Sequence, residues 1–439
     1  MRKWMVLLIL FVGLWACDDD KSNDQIQTSS DAVNFEQEGG EISILIKATA
    51  DWNVDATDNW CFVQPDKEKG SFFVIASENE SPVPRMTVLK VIAGNCIKEI
   101  DVVQEGSTES EFYLSENEAS VYDLNDNYAV VVHSKEAWTA RTAGNWFTIE
   151  PESGDAGVTL VRVQFPRNTL NVERQGKITF ESKDGEVQEF DFKQEAALPD
   201  SRLQDSLALV AFYDAVHGDD FKNETFQNWK TGRLETWNGV KVTNNRVTSL
   251  ILPDKVRVRG IIPEEIKYLS HLKDLNLLNS GVGGNIPKGL GRCVNLESCT
   301  IGEDGYSEAV GNISGSLPNS LCALQKLNLF TCKASHLGGV LPEVYANLSG
   351  LKALTLEKNA LTGSLPVAWK YLTQVGYLYL ASNSLAGEFP REWVSMKRIT
   401  MLDLSGNEGL YGVMPAEIVT TASGYAGFVI IEGTNIVKE

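Results

Sequence analysis

Leucine-like residues return in a fixed phrase along the second half of the chain. In its clearest form the phrase is Leu351, Leu354, Leu356, Leu361 and Leu365, followed 24 positions later by Val375, Leu378, Leu380, Leu385 and Phe389. The pair two apart inside each phrase has the period of a strand with one buried face. A proline closes each phrase: Pro263, Pro287, Pro318, Pro342, Pro366, Pro390 and Pro415 are separated by 24, 31, 24, 24, 24 and 25 residues. A period of this length builds a solenoid, in which each unit buries its apolar face only against its neighbours. Counting back from the prolines predicts strands at 247–252, 272–277, 296–301, 327–332, 351–356, 375–380 and 399–404. The seven extra residues in the third unit read as a loop at 302–311, and 427–431 reads as a closing strand.

Asn359, Asn383 and Asn407 stand at the turn leaving the strand, where an amide can bond backbone groups. Ser280 and Ser335 fill that place earlier, so the asparagine ladder is partial. Ahead of the array, 205–217 reads as an amphipathic helix with Leu207, Leu209, Val210 and Phe212 as its apolar positions. Trp229 and then Trp237-Asn238-Gly239-Val240 follow it. The phrase L-x-x-L-x-L-x-x-N-x-L-x-G-x-I-P resembles the plant-type leucine-rich repeat. The segment around Trp237 resembles that family's N-terminal cap, whose motif is C-x-W-x-G-V-x-C. Glu235 and Val242 occupy the two cysteine places, so packing is expected to hold the cap. The resemblance implies an α/β leucine-rich-repeat solenoid of about seven 24-residue repeats over 247–439, with an N-terminal helical cap over 200–246.

The front half repeats in another way. Trp52 and Trp60 are eight apart, with Pro65 five later, then Arg85 and Gln104-Glu105; Trp138, Trp146, Pro151, Arg174 and Gln194-Glu195 copy the order. Short alternating runs lie between them, which predicts two tandem all-β Ig-like sandwiches in a multidomain chain. The arrangement resembles the BACON family (Bacteroidetes-associated carbohydrate-binding, often N-terminal) over 31–106 and 111–196. The resemblance implies carbohydrate or mucin-glycan binding. The residues themselves favour a different role, because strand alternation places the four tryptophans in cores and leaves the sandwiches as spacers. The linker 196–201 is short and the cores on its two sides differ in kind, so the front half and the solenoid are expected to unfold separately.

Residues 1–17 carry Arg2 and Lys3, an apolar run too short to span a bilayer, and Leu14-Trp15-Ala16-Cys17. This resembles a bacterial lipoprotein signal that ends at a lipidated Cys17, with Trp15 as a departure from the motif. Asp18-Asp19-Asp20 opens an acidic tether over 18–30 and resembles a surface-export signal. The implied location is the outer membrane, lipid-anchored and surface-exposed. The net charge of −20 is uneven. From Asp200 onward 22 basic residues face 24 acidic ones, whereas the remainder has 17 against 35. Such acidity excludes a nucleic-acid partner, which needs a basic footprint. Cys293, Cys299 and Cys332 read as small core residues, and Cys322 has no evident partner. Cys61 and Cys96 share one sandwich, and spacing leaves their pairing open.

No catalytic set emerges. His133, His217, His271 and His336 lack metal-ligand spacing, and no nucleophile, zincin or thiol-redox motif is present. Asp123-x-Asn125-x-Asn127 opens like a calcium loop, but Tyr128 and Ser134 break that pattern, leaving an Asx-rich turn. No enzyme activity, cofactor or metal is expected. The solenoid's concave face is the expected binding surface. Leu329, Ala353, Tyr377 and Met401 form one outward row, bordered by Lys352, Thr355, Glu357, Tyr379 and Asp403. The expected partner is a protein or glycoprotein. The alternatives are glycan binding by the sandwiches, or a spacer subunit of an outer-membrane uptake system.

Overall fold

The computed structural model describes residues 15–16, 25–30, 32–55, 60–79, 85–94, 96–106, 111–221, 225–253, 257–258, 260–303, 312–419 and 428–439. Cys17, most of the tether and the loop body at 304–311 lie outside the described residues. The chain divides into two compact units, Met1–Ser110 and Glu111–Glu439.

The first unit has two facing sheets. One runs Trp15–Ala16, Gln25–Thr28, Gly40–Ala48, Ser71–Ala76, Cys61–Asp66, and the other Ala32–Phe35, Cys96–Gln104, Arg85–Ala93, Trp52–Asp55. Phe35, Ile44, Trp52, Phe72, Leu89 and Ile100 belong to its core. The second unit opens with the same plan. Its four-stranded sheet runs Phe112–Leu114, Asn127–Ser134, Gly157–Gln164, Thr148–Glu150. Its five-stranded sheet runs Glu118–Val121, Val187–Gln194, Arg174–Ser182, Trp138–Ala143, Ser153–Gly154. In both copies the short strand after the first turn pairs in parallel with the last long strand, so the internal repeat is one of topology as well as sequence.

The tryptophans divide by position. Trp52 and Trp138 are core residues, whereas Trp60 and Trp146 are half-buried at the periphery, each under a guanidinium. Arg85 lies 4.6 Å from the Trp60 ring and Arg174 lies 4.1 Å from the Trp146 ring. Each arginine's Nε donates to the glutamine of the Gln-Glu pair, Gln104 or Gln194, at 2.9 and 2.8 Å. Those glutamines donate in turn to turn carbonyls, Gln37 O in one copy and Asp123 O and Asn125 O in the other. The repeated Trp–Arg–Gln signature is thus a network that ties the last strand to the first turn, and only half of the four tryptophans fill cores as expected.

The α-helix Arg202–Ala215 begins at Ser201, whose Oγ accepts from Gln204 N. Leu209 and Phe212 are buried as expected, but Leu207 is 51% exposed. Ala208 and Tyr213 turn inward with the first two, together with Asp205. Asp205 receives both Arg246 Nε and Nη2 and the Val247 amide at 2.8–2.9 Å, so the helix is pinned to the first strand of the coil. Behind it Phe226 packs edge-to-face on Trp229, which stacks on Trp237. Aromatic packing therefore does the work of the missing cap disulfide; Glu235 pairs with Arg202 and Val242 lies in the strand Val240–Thr243.

From this cap the chain coils through a nine-stranded sheet: Val240–Thr243, Arg246–Ile251, Asp274–Asn276, Ser298–Gly302, Leu329–Lys333, Ala353–Thr355, Tyr377–Tyr379, Met401–Asp403 and Phe428–Ile430. The first pair is antiparallel and every later pair is parallel. The strands are shorter than the sequence windows, three to six residues each. The expected α/β character does not hold. Among the described residues there is one α-helix, and the convex side consists of 3₁₀ turns at Glu264–Tyr268, Lys288–Arg292, Asn319–Ala323, Glu343–Asn347, Val367–Tyr371 and Arg391–Ser395. Each starts directly after its proline and spans five residues before the next inward residue, such as Leu348 or Leu372. That is too little chain to nucleate and extend an α-helix.

The second sandwich and the coil are not separate. The outer face of the four-stranded sheet lies on the convex turns 319–323, 343–347 and 367–371, and one apolar cluster runs through both parts. Arg292, with no solvent-exposed area, places Nε and Nη2 on the Asp123 carboxylate at 2.5 and 2.9 Å. Its Nη1 donates to Lys267 O at 2.8 Å, and Leu198 N donates to Asp123 at 3.1 Å. Asn125 Nδ2 donates to Gly291 O at 2.9 Å, and Asn127 Oδ1 accepts from Asn347 and Gln325 at 2.9 and 3.1 Å. His133 Nε2 lies 2.7 Å from Glu343 beneath a stacked Tyr113, and Lys370 Nζ donates to Val158 O at 2.6 Å. Glu116 accepts from Tyr128 OH and Asn319 Nδ2, both at 2.9 Å, and burial there pushes its carboxyl up to about 7. The turn that opens like a calcium loop is therefore a docking turn, and the expectation of independently unfolding halves is overturned for the second sandwich.

Candidate ligand-binding face

Pairing fixes which residues share the concave face. Leu329, Ala353, Tyr377, Met401 and Phe428 are in register across five neighbouring strands, as are Thr331, Thr355, Tyr379, Asp403 and Ile430. Between these rows Phe330, Leu354, Leu378 and Leu402 point into the core with essentially no exposure. The residues picked from sequence thus stand together. Leu329, Tyr377 and Met401 form the first row, Thr355, Tyr379 and Asp403 the second, and Lys352 and Glu357 sit just before and after the Ala353–Thr355 strand.

Tyr377 is 51% exposed and Phe428 is 74% exposed. Phe428 was not among the sequence candidates. Its segment reads as a closing strand, and carrying the two-residue alternation one strand further would have placed it on the outward row. With a strand spacing of about 4.8 Å, five members extend the row to roughly 19 Å. The rim is polar. Lys333 Nζ lies 3.4 Å from Glu357, and Asp403 accepts from Ser405 N and Oγ at 3.0 and 2.7 Å. Burial, then Glu357, Tyr377 and Asp403, raises the Tyr379 phenol above its ordinary range, so near neutral pH it remains a hydrogen-bond donor.

The face rests on a stiff support. Asn383 Nδ2 donates to Leu356 O and Leu380 O, and its Oδ1 accepts from Leu361 N; Asn407 repeats this one coil later, and Asn359 one coil earlier. Each asparagine clamps two coils. Ser280 and Ser335 donate to nearby carbonyls, Leu277 O and Lys333 O, and Ser280 Oγ accepts from Val282 N, all within their own coil, so the ladder is partial as the sequence indicates. On the convex side Tyr345, Trp369 and Trp393 are buried, and each donates to a proline carbonyl of the preceding coil: Pro318, Pro342 and Pro366.

Cys293, Cys299, Cys322 and Cys332 are buried in the coil. Burial pushes the first two thiols up to about 12 and the other two well above the usual range. They are core residues with little thiolate character. Cys61 is also buried. Among the described residues, no group of three or more His, Cys, Asp or Glu side chains is placed to hold a metal.

Comparisons with known proteins found matches to family models, to a curated protein and to solved structures. Residues 136–191 match the BACON family, described as "Putative binding domain, N-terminal", and residues 25–107 match the viral BACON domain. A probable inactive receptor kinase of Arabidopsis thaliana is 39% identical over 93 residues, 21% of this chain and 13% of that protein. The chain thus spans about an eighth of the length of the curated relative that it matches. Among solved structures, a plant ice-binding protein is similar at 23% identity with a TM-score of 0.46, over 54% of this chain and 73% of that one. The leucine-rich-repeat ectodomain of the Arabidopsis receptor kinase HAESA, in complex with an IDA peptide hormone, is similar at 22% identity with a TM-score of 0.42, over 54% and 42%. The chain is multidomain and mostly β, with two BACON-like segments in its front half.

Proposed function

We propose that this chain is a non-catalytic binding protein that takes a protein or glycoprotein ligand on the concave face of a coil of about seven 24-residue leucine-rich repeats. The observation that carries the reading is the aromatic and apolar row from Leu329 to Phe428, in which Tyr377 and Phe428 are exposed and Leu329, Ala353 and Met401 half-buried, bordered by Lys352, Glu357, Tyr379 and Asp403. Exposed apolar strips with polar rims are the usual form of a recognition surface, and tyrosine is favoured at energetic hot spots. The peptide complex of HAESA is a property of that receptor; here the supporting evidence is the row itself.

The double variant Tyr377→Ala/Tyr379→Ala touches no inward leucine, so it is expected to fold with little loss of stability. Its affinity for a ligand isolated with the wild-type chain is expected to fall by about 2 kcal/mol or more. Unchanged affinity, measured by calorimetry on the folded variant, would reject the concave row. The reading includes a lipid anchor at Cys17 in the outer membrane with the chain displayed at the cell surface. Cys17→Ala is expected to move the protein from the membrane fraction to the soluble one, and continued detergent-dependent association would refute the anchor.

A further inference from the structure

The two sandwiches share one plan, and in the second copy one face of that plan has an occupant. Its sheet Phe112–Leu114, Asn127–Ser134, Gly157–Gln164, Thr148–Glu150 is matched strand for strand by Gln25–Thr28, Gly40–Ala48, Ser71–Ala76, Cys61–Asp66 in the first. The outer face of the second copy's sheet is seated on convex 3₁₀ turns of the coil, through Asn127, His133 and Val158. The same face of the first sandwich is open to solvent. We propose that this open face docks on the convex turns of the coil of a second copy of this chain.

Register fixes what the open face carries. Glu41, Ile75 and Phe62 stand abreast on three neighbouring strands, as do Ser43, Phe73 and Gln64, and Leu45 follows Ser43 on the same face. Phe62 is 55% exposed and Leu45 is 42% exposed, and Phe73 and Ile75 are half-buried on the strand between them. Large apolar side chains gathered on one face mark an interaction surface. Glu41, Ser43 and Gln64 keep it partly polar, which is the composition of an interface that forms and dissociates, and not of a permanent core.

The coil holds the complementary half. Its convex ridge continues past Val367–Tyr371, the last turn on which the second sandwich lies, through Arg391–Ser395 and Ala416–Val419. Both further turns start directly after a proline, as the covered ones do. Arg391, Glu392, Ser395, Ala416 and Glu417 are exposed on them, and Val394, Lys397 and Pro415 help to line an open groove of about 400 Å³. Val394 has the place in its turn where Cys322 meets Tyr128 and Ala129 of the second sandwich. The polarity carries over as well. Glu41 on the open face and Lys397 in the groove repeat the acid on the sandwich and cation on the coil of Asp123 and Arg292. The open ridge is thus continuous with an interface the chain already makes, and each copy presents both halves. A sandwich of one copy on the coil of another is a heterologous contact, so it closes into a reciprocal pair or runs on as a row of copies.

The test is sedimentation velocity of the full chain from about 1 to about 300 μM, a range that covers reversible association through a modest interface. The mass is expected to rise above that of one chain as concentration increases. Phe62→Glu and, separately, Val394→Glu are each expected to raise the dissociation constant at least about tenfold. Phe62 points away from the core, and Lys370 has the place of Val394 one turn earlier, so a charged residue is tolerated at both positions. An equimolar mixture of the two variants is expected to associate pairwise, since each retains the half that the other has lost. Tyr377→Ala/Tyr379→Ala is expected to leave association unchanged, which separates this contact from the concave row. A single-chain mass over the whole range, association that either charged variant leaves intact, or a mixture that stays at single-chain mass would each overturn the proposal.

Discussion

Arg292→Ala is expected to destabilise the second unit by about 3–5 kcal/mol, because it leaves the Asp123 carboxylate enclosed without its counter-charge. The guanidinium also satisfies Lys267 O and Leu198 O, and both carbonyls would lose a donor in a place where water enters with difficulty. Because sandwich and coil share one apolar cluster, the loss should appear equally in both. The measurement is hydrogen exchange in urea, comparing amides of the Val187–Gln194 strand with those of the Ala353–Thr355 strand. A shift confined to the sandwich, or a loss under about 1 kcal/mol, would show that the seam is only a surface contact. The double variant Asp123→Leu/Arg292→Met removes both charges together and is expected to regain most of the stability, since a buried ion pair is readily replaced by apolar groups of similar volume.

Trp369→Ala is expected to cost about 3–5 kcal/mol, the range for truncating a fully buried large aromatic residue. Its ring stacks on Trp393 at 6.2 Å with an interplanar angle of 10°, so the cavity would open between two coils and loosen both. Trp369→Phe separates packing from polarity. It retains most of the apolar volume but deprives Pro342 O of its 2.9 Å donor, and a smaller loss of about 1–3 kcal/mol is expected. Urea midpoints of the two variants check the order. Equal losses would mean that the indole N–H, and not the ring, is the main contribution.

The concave register was readable because the inward pair of each phrase has a strict two-residue spacing, and any one-residue slip would expose every leucine. The convex side was misread because the α/β expectation came with the family resemblance and not from the residues; the five positions between Pro342 and Leu348 already forbid an α-helix of useful length. The seam had a legible sign that went unused. Gly40–Ala48 in the first sandwich has no more than three apolar residues in a row and leaves Leu45 exposed between the buried Ile44 and Ile46, whereas its counterpart carries the unbroken run Tyr128-Ala129-Val130-Val131-Val132, all buried. A continuous apolar strand is one covered on both faces. What covers it was not legible, since Arg292 lies 169 positions from Asp123 and no local pattern links them. Phe428 was missed for a simpler reason. Its strand comes after a break in the leucine phrase, so its alternation was not extended from the rows before it.

The docking of the sandwich also has a mechanical meaning. A coil of stacked strands behaves as a spring, able to bend by small changes between neighbouring turns. The sandwich contacts four successive convex turns, from Lys288–Arg292 to Val367–Tyr371, and acts on them as a splint. Tyr377 follows directly on the last splinted turn, while Met401 and Phe428 come from coils beyond it. The aromatic row therefore has a stiff end and a compliant end. A ligand would find Leu329, Ala353 and Tyr377 already in place, and adjustment to its shape would be taken up by the unsupported coils that carry Met401 and Phe428.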